Sequence, residues 1–290
     1  MAEFLQFLFS GLTAGSTYAL AALGFVIIYN ASGVINFAQG EFIMLGGMLA
    51  AFLMTVGFPL FYAIVVALGA TALVGYLMAK VAIEPAGDAD VVRLIIITIG
   101  AALVLRGLVQ IYLGKGSHTL PPFGSDVPLN LFGAVVLPQS LWALGLTLLI
   151  VCAMAWLFSF TRIGKAVLAT SVDKLAARLV GIDTRKVLRF SFVLAAFLGA
   201  VGGVLTAPIT PTSFEAGVML GLKGFVAAIL GGLGSGVGAV VGGLILGIAE
   251  AMTAGYVSSA YKDAMPFVLI LLLLFFMPRG LFGGKLVERV

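Results

Sequence analysis

Apolar runs long enough to cross a bilayer leave this chain little choice of fold. They fall at about residues 4–29, 36–57, 60–82, 94–113, 139–160, 190–209, 221–253 and 264–278. An α-helix needs roughly 20 residues to span the hydrocarbon core. Lipid offers no partner to backbone N–H and C=O groups, so runs of this length must fold as helices. The 221–253 run is too long for one plain span, and GGLGSGVG at 231–238 interrupts it where backbone freedom is greatest. Two short crossing or half-crossing helices are expected to meet there. The expected fold class is therefore all-α: a polytopic transmembrane bundle of about eight or nine spans, with broken or half-crossing helices. Residues 1–290 read as a single transmembrane domain.

Charge supports the same reading. Only 10% of the residues are charged, against about 25% in a soluble domain. The formal charge of +4 reflects topology rather than nucleic-acid binding, because no basic–aromatic patch lies outside the loops. Residues 161–189 hold Arg162, Lys165, Lys174, Arg178, Arg185, Lys186 and Arg189, opposed only by Asp173 and Asp183. Lys and Arg near span ends resist translocation, which places this loop in the cytoplasm. The tail with Arg279, Lys285 and Arg289 belongs on the same side, and alternation adds 80–93. Residues 114–138 and the N-terminus then lie outside. MAEFLQFLFSGLTAG carries Glu3 and no positive n-region, so it reads as an uncleaved first span. Cys152 is the one cysteine, which excludes a disulfide, disfavours a metal cluster and leaves a small apolar packing residue.

Within the basic loop, VDKLAARLVG reads as a short helix. Leu175, Leu179 and Ile182 recur at i, i+4, i+7, and Gly181 stops the turn. An apolar stripe presented to the cytoplasm implies a docked partner. Four ionisable residues stand in or near spans: Glu41, Arg106, Lys223 and Glu250. Such residues are costly and usually face an interior or a cavity. Asn36, Gln39, Gly40 and Glu41 together will not make a lipid-facing helix, so a broken start to the second span is expected there. Uncharged Asn36 and Gln39 suit the lining of a path, with Glu41 nearer the boundary. Arg106 and Lys223 lie near span ends, where snorkelling to the outer interface is expected. Glu250 is deeper and calls for an interior partner. The 38 glycines suit close helix packing, or a hinge along a path. Gly234, Gly238 and Gly242 step by four, and Gly243 and Gly247 repeat the step one face over. His118 reads as a solvated loop residue. No nucleophile–base pair, paired carboxylates or nucleotide loop is evident.

Four stretches in order resemble one family. They are GVINFAQGEFIMLGG (33–47), the run 164–189, LKGFVAAILGGLGSGVGAVVGGLILGIAE (222–250) and MPRGLFG (277–283). The chain is similar to the smaller inner-membrane permease subunits of ABC importers for branched-chain and other hydrophobic amino acids. That resemblance implies a multi-pass protein of the bacterial inner membrane, with no catalytic site and no cofactor of its own. Its expected partners are a second permease subunit, two cytosolic subunits that bind and hydrolyse ATP, and a periplasmic substrate-binding protein, with membrane lipid around it. Asp173, Leu175, Ala176, Ala177, Arg178 and Gly181 would form the coupling site for the ATPase. Asn36, Gln39, Glu41 and Glu250 would line the translocation path. Many importer permeases carry Glu-Ala-Ala-x-x-x-Gly in this loop. Here Leu175 replaces the Glu, and Asp173 is the nearest carboxylate. The alternative is a stand-alone secondary transporter, which usually shows internal repeats and a midplane ion site.

Overall fold

One helix, α1 (Ala2–Ser32), runs through the middle of the bundle and is mostly buried from Gly11 onward, as a computed structural model of the chain shows. The structure describes residues 1–87, 90–125, 127–131 and 133–283. After α1 come α2 (Gln39–Thr55) and α3 (Leu60–Leu77), which runs on as a π turn, Met78–Ile83, and a 3-10 turn, Glu84–Ala86. Next is α4 (Val91–Tyr112), and then an antiparallel hairpin of β1 (Leu129–Leu131) and β2 (Ala134–Val136). Helices α5 (Pro138–Phe160), α6 (Arg162–Val172), α7 (Lys174–Leu179) and α8 (Thr184–Thr206) follow. The chain closes with α9 (Ala216–Gly231), α10 (Gly236–Tyr256), a 3-10 turn at Ser259–Ala264 and α11 (Met265–Phe276). Among the described residues, 7 helical stretches are long and apolar enough to cross a membrane. The apolar helices α2 and α9 are shorter.

The expected broken spans are present. Gly33 adopts a left-handed φ of 75° and its N–H bonds to Tyr29 O at 2.7 Å, a glycine C-cap that ends α1. After the six non-helical residues 33–38, α2 starts beside Ala195, at half the height of α8. The 221–253 run divides as expected: α9 ends at Gly231, the chain turns at Gly232 and Gly234, and Ser235 caps α10 by accepting from Gly238 N at 3.0 Å. The last carbonyls of α9 do not stay orphaned. The N–H groups of Leu281 and Phe282 donate to Leu230 O and Gly231 O, each at 2.9 Å. MPRGLFG is thus a cap for another helix. The tail cations Lys285 and Arg289 lie outside the described residues.

Helices meet through missing side chains. On α10, Gly243 lies against Ala19, and Gly247 against Gly11 and Gly15, so α10 runs antiparallel to α1 at backbone contact. The other glycine stripe of α10, Gly238 and Gly242, faces Gly231 and Ala227 of α9. Both stripes serve close packing. Outer helices α3, α4, α5 and α11 are largely exposed, as lipid- or partner-facing helices should be. Cys152 is exposed on α5, so it faces outward rather than filling the interior.

The ends of the bundle are chemically distinct. The N-terminus, the 113–137 loop and the Ser259–Ala264 turn share one end, where Val135 N reaches Gln6 Oε1 and His118 exchanges backbone hydrogen bonds of 2.8 Å with Thr212. His118 therefore latches two loops by its backbone. The opposite end carries α6, α7 and the 3-10 turn after α3, tied to α8 by a bidentate pair between Arg189 and Glu84.

Backbone contact at Gly247 predicts a large penalty for any side chain there. Gly247→Val should destabilise the protein by about 1–3 kcal/mol through overpacking. Gly69→Ala on exposed α3, where nothing lies within 4 Å, should be neutral or stabilising by up to about 1 kcal/mol. Thermal unfolding in detergent reads both.

Candidate permeation cavity and coupling face

The signature at 33–47 is a tightly packed, buried joint. Asn36 Oδ1 accepts from Ala38 N at 3.1 Å and so caps the mid-bundle start of α2. Phe37 N donates to Thr98 Oγ1 at 3.2 Å. Gln39 fits between Gly24, where any Cβ would collide with it, and Gly199, where a Cβ would press on it and on Phe42, and it donates to Ala195 O at 3.0 Å. Gly40 lies on Gly217 and Gly221, joining the two short helices. Glu41 pairs with Arg106 of α4.

This placement differs from the one read from the sequence in two ways. Glu41 was expected near the boundary and Arg106 was expected to snorkel. Instead, the Glu41 side chain is 2% exposed and that of Arg106 only 26%, and each finds its counter-ion in the other. Asn36 and Gln39 are equally buried, and none of the three borders the main cavity of the described structure. Polar residues that close a half-height helix cap look, in sequence, like polar residues that line water. Asn36 Nδ2, Gln39 Oε1, Glu41 Oε2 and Arg106 Nε remain without partners.

The cavity itself lies at the end of the bundle with the N-terminus and encloses about 710 Å³, within the range of small-molecule sites. Thr13, Thr17, Thr206 and Thr210 offer hydroxyls, while Phe9, Ile43, Met219 and Leu220 supply apolar wall. Thr17 and Thr206 share a hydrogen bond of 2.7 Å that ties α1 to the end of α8. Tyr18, Lys223 and Glu250 complete the lining. Glu250 has the interior partner expected of it: Lys223, with Tyr18 OH donating to its second oxygen at 2.7 Å. Lys223 does not snorkel. It is 7% exposed and also bonds Asp263 Oδ1 at 2.8 Å. Asp263 went unnoticed in the sequence because it precedes the last apolar run and reads as a wet loop residue.

At the opposite end, Asp173 caps α7, its Oδ1 accepting from Leu175 N at 2.8 Å and Ala176 N at 3.0 Å. Gly181, at φ 87°, closes the helix with a paired motif: Ile182 N to Ala177 O and Gly181 N to Arg178 O, both 3.0 Å. Arg178 Nε reaches Thr184 Oγ1 at 3.0 Å, and Lys174 bonds Ser32 O at the end of α1. Asp183 caps α8 in the same way, and the Lys186 backbone N–H, its strongest influence, holds its carboxyl below the usual range. Leu175, Leu179 and Val180 are 66%, 81% and 77% exposed. Ile182 instead turns inward against Ala31, Val167 and Val187, so Val180 replaces it in the exposed stripe. Ala177 is buried and supports the helix from within.

Broken spans meeting at mid-height, an ion-lined cavity at one end and an apolar helix bared at the other define a membrane permease. The chain belongs to the branched-chain amino acid transport system permease component family, whose pattern it matches over residues 7–274. It is 37% identical to the high-affinity branched-chain amino acid transport system permease protein LivH of Salmonella typhimurium, over 99% of this chain and 98% of that protein. BraD of Pseudomonas aeruginosa, a permease protein of the same description, is 33% identical over 99% of this chain and 98% of its own length. A chain in the structure of PsaBC from Streptococcus pneumoniae in complex with Fab shares the fold. Its TM-score is 0.52 at 16% identity, covering 95% of this chain and 92% of that one.

The Glu41–Arg106 pair should behave as a buried pair. Arg106→Leu leaves Glu41 buried without its counter-ion and should cost about 3 kcal/mol. The double variant Glu41→Leu, Arg106→Leu should recover most of that loss. A double-mutant cycle on thermal stability in detergent decides it.

Proposed function

We propose that this permease subunit forms, with a second permease, the path for branched-chain or other hydrophobic amino acids across a bacterial inner membrane. Two cytosolic subunits bind and hydrolyse the ATP, and a substrate-binding protein delivers to the cavity from the periplasm. The subunit moves solute and performs no chemistry, so it needs no cofactor. The relatives named as branched-chain amino acid permeases support the substrate class, and the cavity suits it by pairing apolar wall with hydroxyls and one ion cluster.

The observation that carries the reading is α7. Exposed Leu175, Leu179 and Val180 stand on a short helix capped at both ends, at the end of the bundle opposite the cavity and amid the chain's densest positive charge. Capping makes such a helix a rigid lever. Asp173 is already used by the cap, so docking here rests on apolar contact and on Arg178 and its basic neighbours rather than on a carboxylate. Asn36, Gln39 and Glu41 are buried and lie outside the cavity lining. In this reading they close the path beneath it, and Glu250 belongs to the path wall.

Leu175→Glu with Leu179→Glu should remove the docking anchors while leaving the fold intact, since both side chains are solvent-exposed. Uptake of leucine by proteoliposomes holding the assembled transporter should fall about tenfold or more, the effect of losing anchor residues at an interface. Transporter-stimulated ATP hydrolysis should fall with it. Full uptake by the double variant would contradict the docking assignment.

A further inference from the structure

Every carboxylate around Lys223 has a job except one. Lys223 Nζ is met by the Glu250 carboxylate from α10, by Tyr18 OH from α1 at 3.4 Å and by Asp263 Oδ1 at 2.8 Å from the turn before α11. Glu250 is buried and both of its oxygens are engaged, one by Lys223 and one by Tyr18. It already neutralises the lysine. Asp263 brings a second negative charge to a single cation, and its side chain is 46% exposed while that of Lys223 is 8% exposed. Two carboxylates on one ammonium are unequal here. Removing Glu250 from Lys223 would strand buried charge, at high cost, whereas Asp263 can swing into water and lose little.

We propose that Lys223 is the carboxylate-binding residue of the cavity and that Asp263 is its built-in competitor, displaced when a substrate carboxylate arrives. The inference rests on the permease reading above and adds to it the head group that the site recognises. The exchange is balanced: one carboxylate leaves the Lys223 ammonium and another takes its place, with the same charge and the same donor. An apolar side chain on the incoming acid has Phe9, Met219 and Leu220 beside it. Lys262 also borders the cavity but is exposed, so water and salt screen its charge and the desolvated ammonium attracts more strongly. A site that carries its own competitor binds weakly. Weak binding is what a translocation path requires, because a substrate held too firmly would not leave.

The test uses the assembled transporter, with Ser10→Cys as reporter in a Cys152→Ala background. Ser10 is exposed and borders the cavity. The rate of reaction with an impermeant maleimide is followed against L-leucine, 4-methylpentanoate (the acid without the amine) and 3-methylbutylamine (the amine without the acid). Leucine and 4-methylpentanoate should slow labelling and the amine should not. Adding Asp263→Asn, which removes the competitor and leaves Lys223 and Glu250 paired, should lower the half-protecting concentration of both acids by about tenfold. Lys223→Met should abolish protection. Equal protection by the amine, or an unchanged half-protecting concentration in Asp263→Asn, overturns the proposal and leaves the cluster as a clamp between helices. Leucine uptake by the unmodified assembly tests the permease reading separately. If uptake fails, the contrast between acid and amine still decides the role of Lys223.

Discussion

The backbone contact between α1 and α10 is the interaction on which the rest of the structure depends. In a bilayer no hydrophobic force draws helices together, so association relies on close packing and on polar bonds between helices. Gly243 and Gly247 let α10 lie on the backbone of α1 at Ala19, Gly15 and Gly11. At that separation Tyr18 on α1 reaches Glu250 on α10, and Gly224 on α9 closes on Ala21 of the same central helix. The ion cluster and the cavity wall are thus consequences of where glycine allows three helices to meet. A bulkier residue at the contact would move Glu250 away from its Tyr18 donor.

The second constraint is the half-height start of α2. A helix beginning in mid-membrane exposes N–H groups that lipid cannot satisfy. The chain meets that demand locally, with Asn36 as cap and Thr98 holding Phe37 N. Gln39 then fills the gap made by Gly24 and Gly199. Ile43 and Gly203 line the cavity, while Gln39 and Gly199, one turn further from its mouth, close on each other. The cavity therefore ends at this joint. Glu41 with Arg106 is a largely buried tether for α4, and Lys223 and Glu250 face the cavity, with Asp263 joined to Lys223.

Much of this was legible in the sequence, for physical reasons. Hydropathy has to match bilayer thickness, so the spans were readable, and the breaks at 33–38 and 232–235 were marked by residues no lipid-facing helix tolerates. The stop at Gly181 follows from the left-handed φ that glycine alone adopts cheaply. What was not legible is pairing across helices. Glu41 with Arg106 and Lys223 with Glu250 lie far apart in the chain, and each alone resembles a residue reaching for an interface. Local pattern gives depth and period, and only the packed bundle tells which charges share a level. The inward turn of Ile182 was hidden similarly: its spacing continues the stripe of Leu175 and Leu179, but the chain has already left α7 at Gly181.

The central claim is that the end bearing α7 faces the cytoplasm and the cavity faces outward. Single cysteines at Ser171, exposed at the end of α6, and Ser117, exposed in the loop after α4, test it directly in a Cys152→Ala background. An impermeant maleimide applied to intact cells, with the outer membrane permeabilised, should label Ser117→Cys and leave Ser171→Cys unreacted. Inside-out vesicles should give the reverse. Labelling of Ser171→Cys from outside would put the basic loop and α7 beyond the reach of any cytosolic ATPase, and the account would fail.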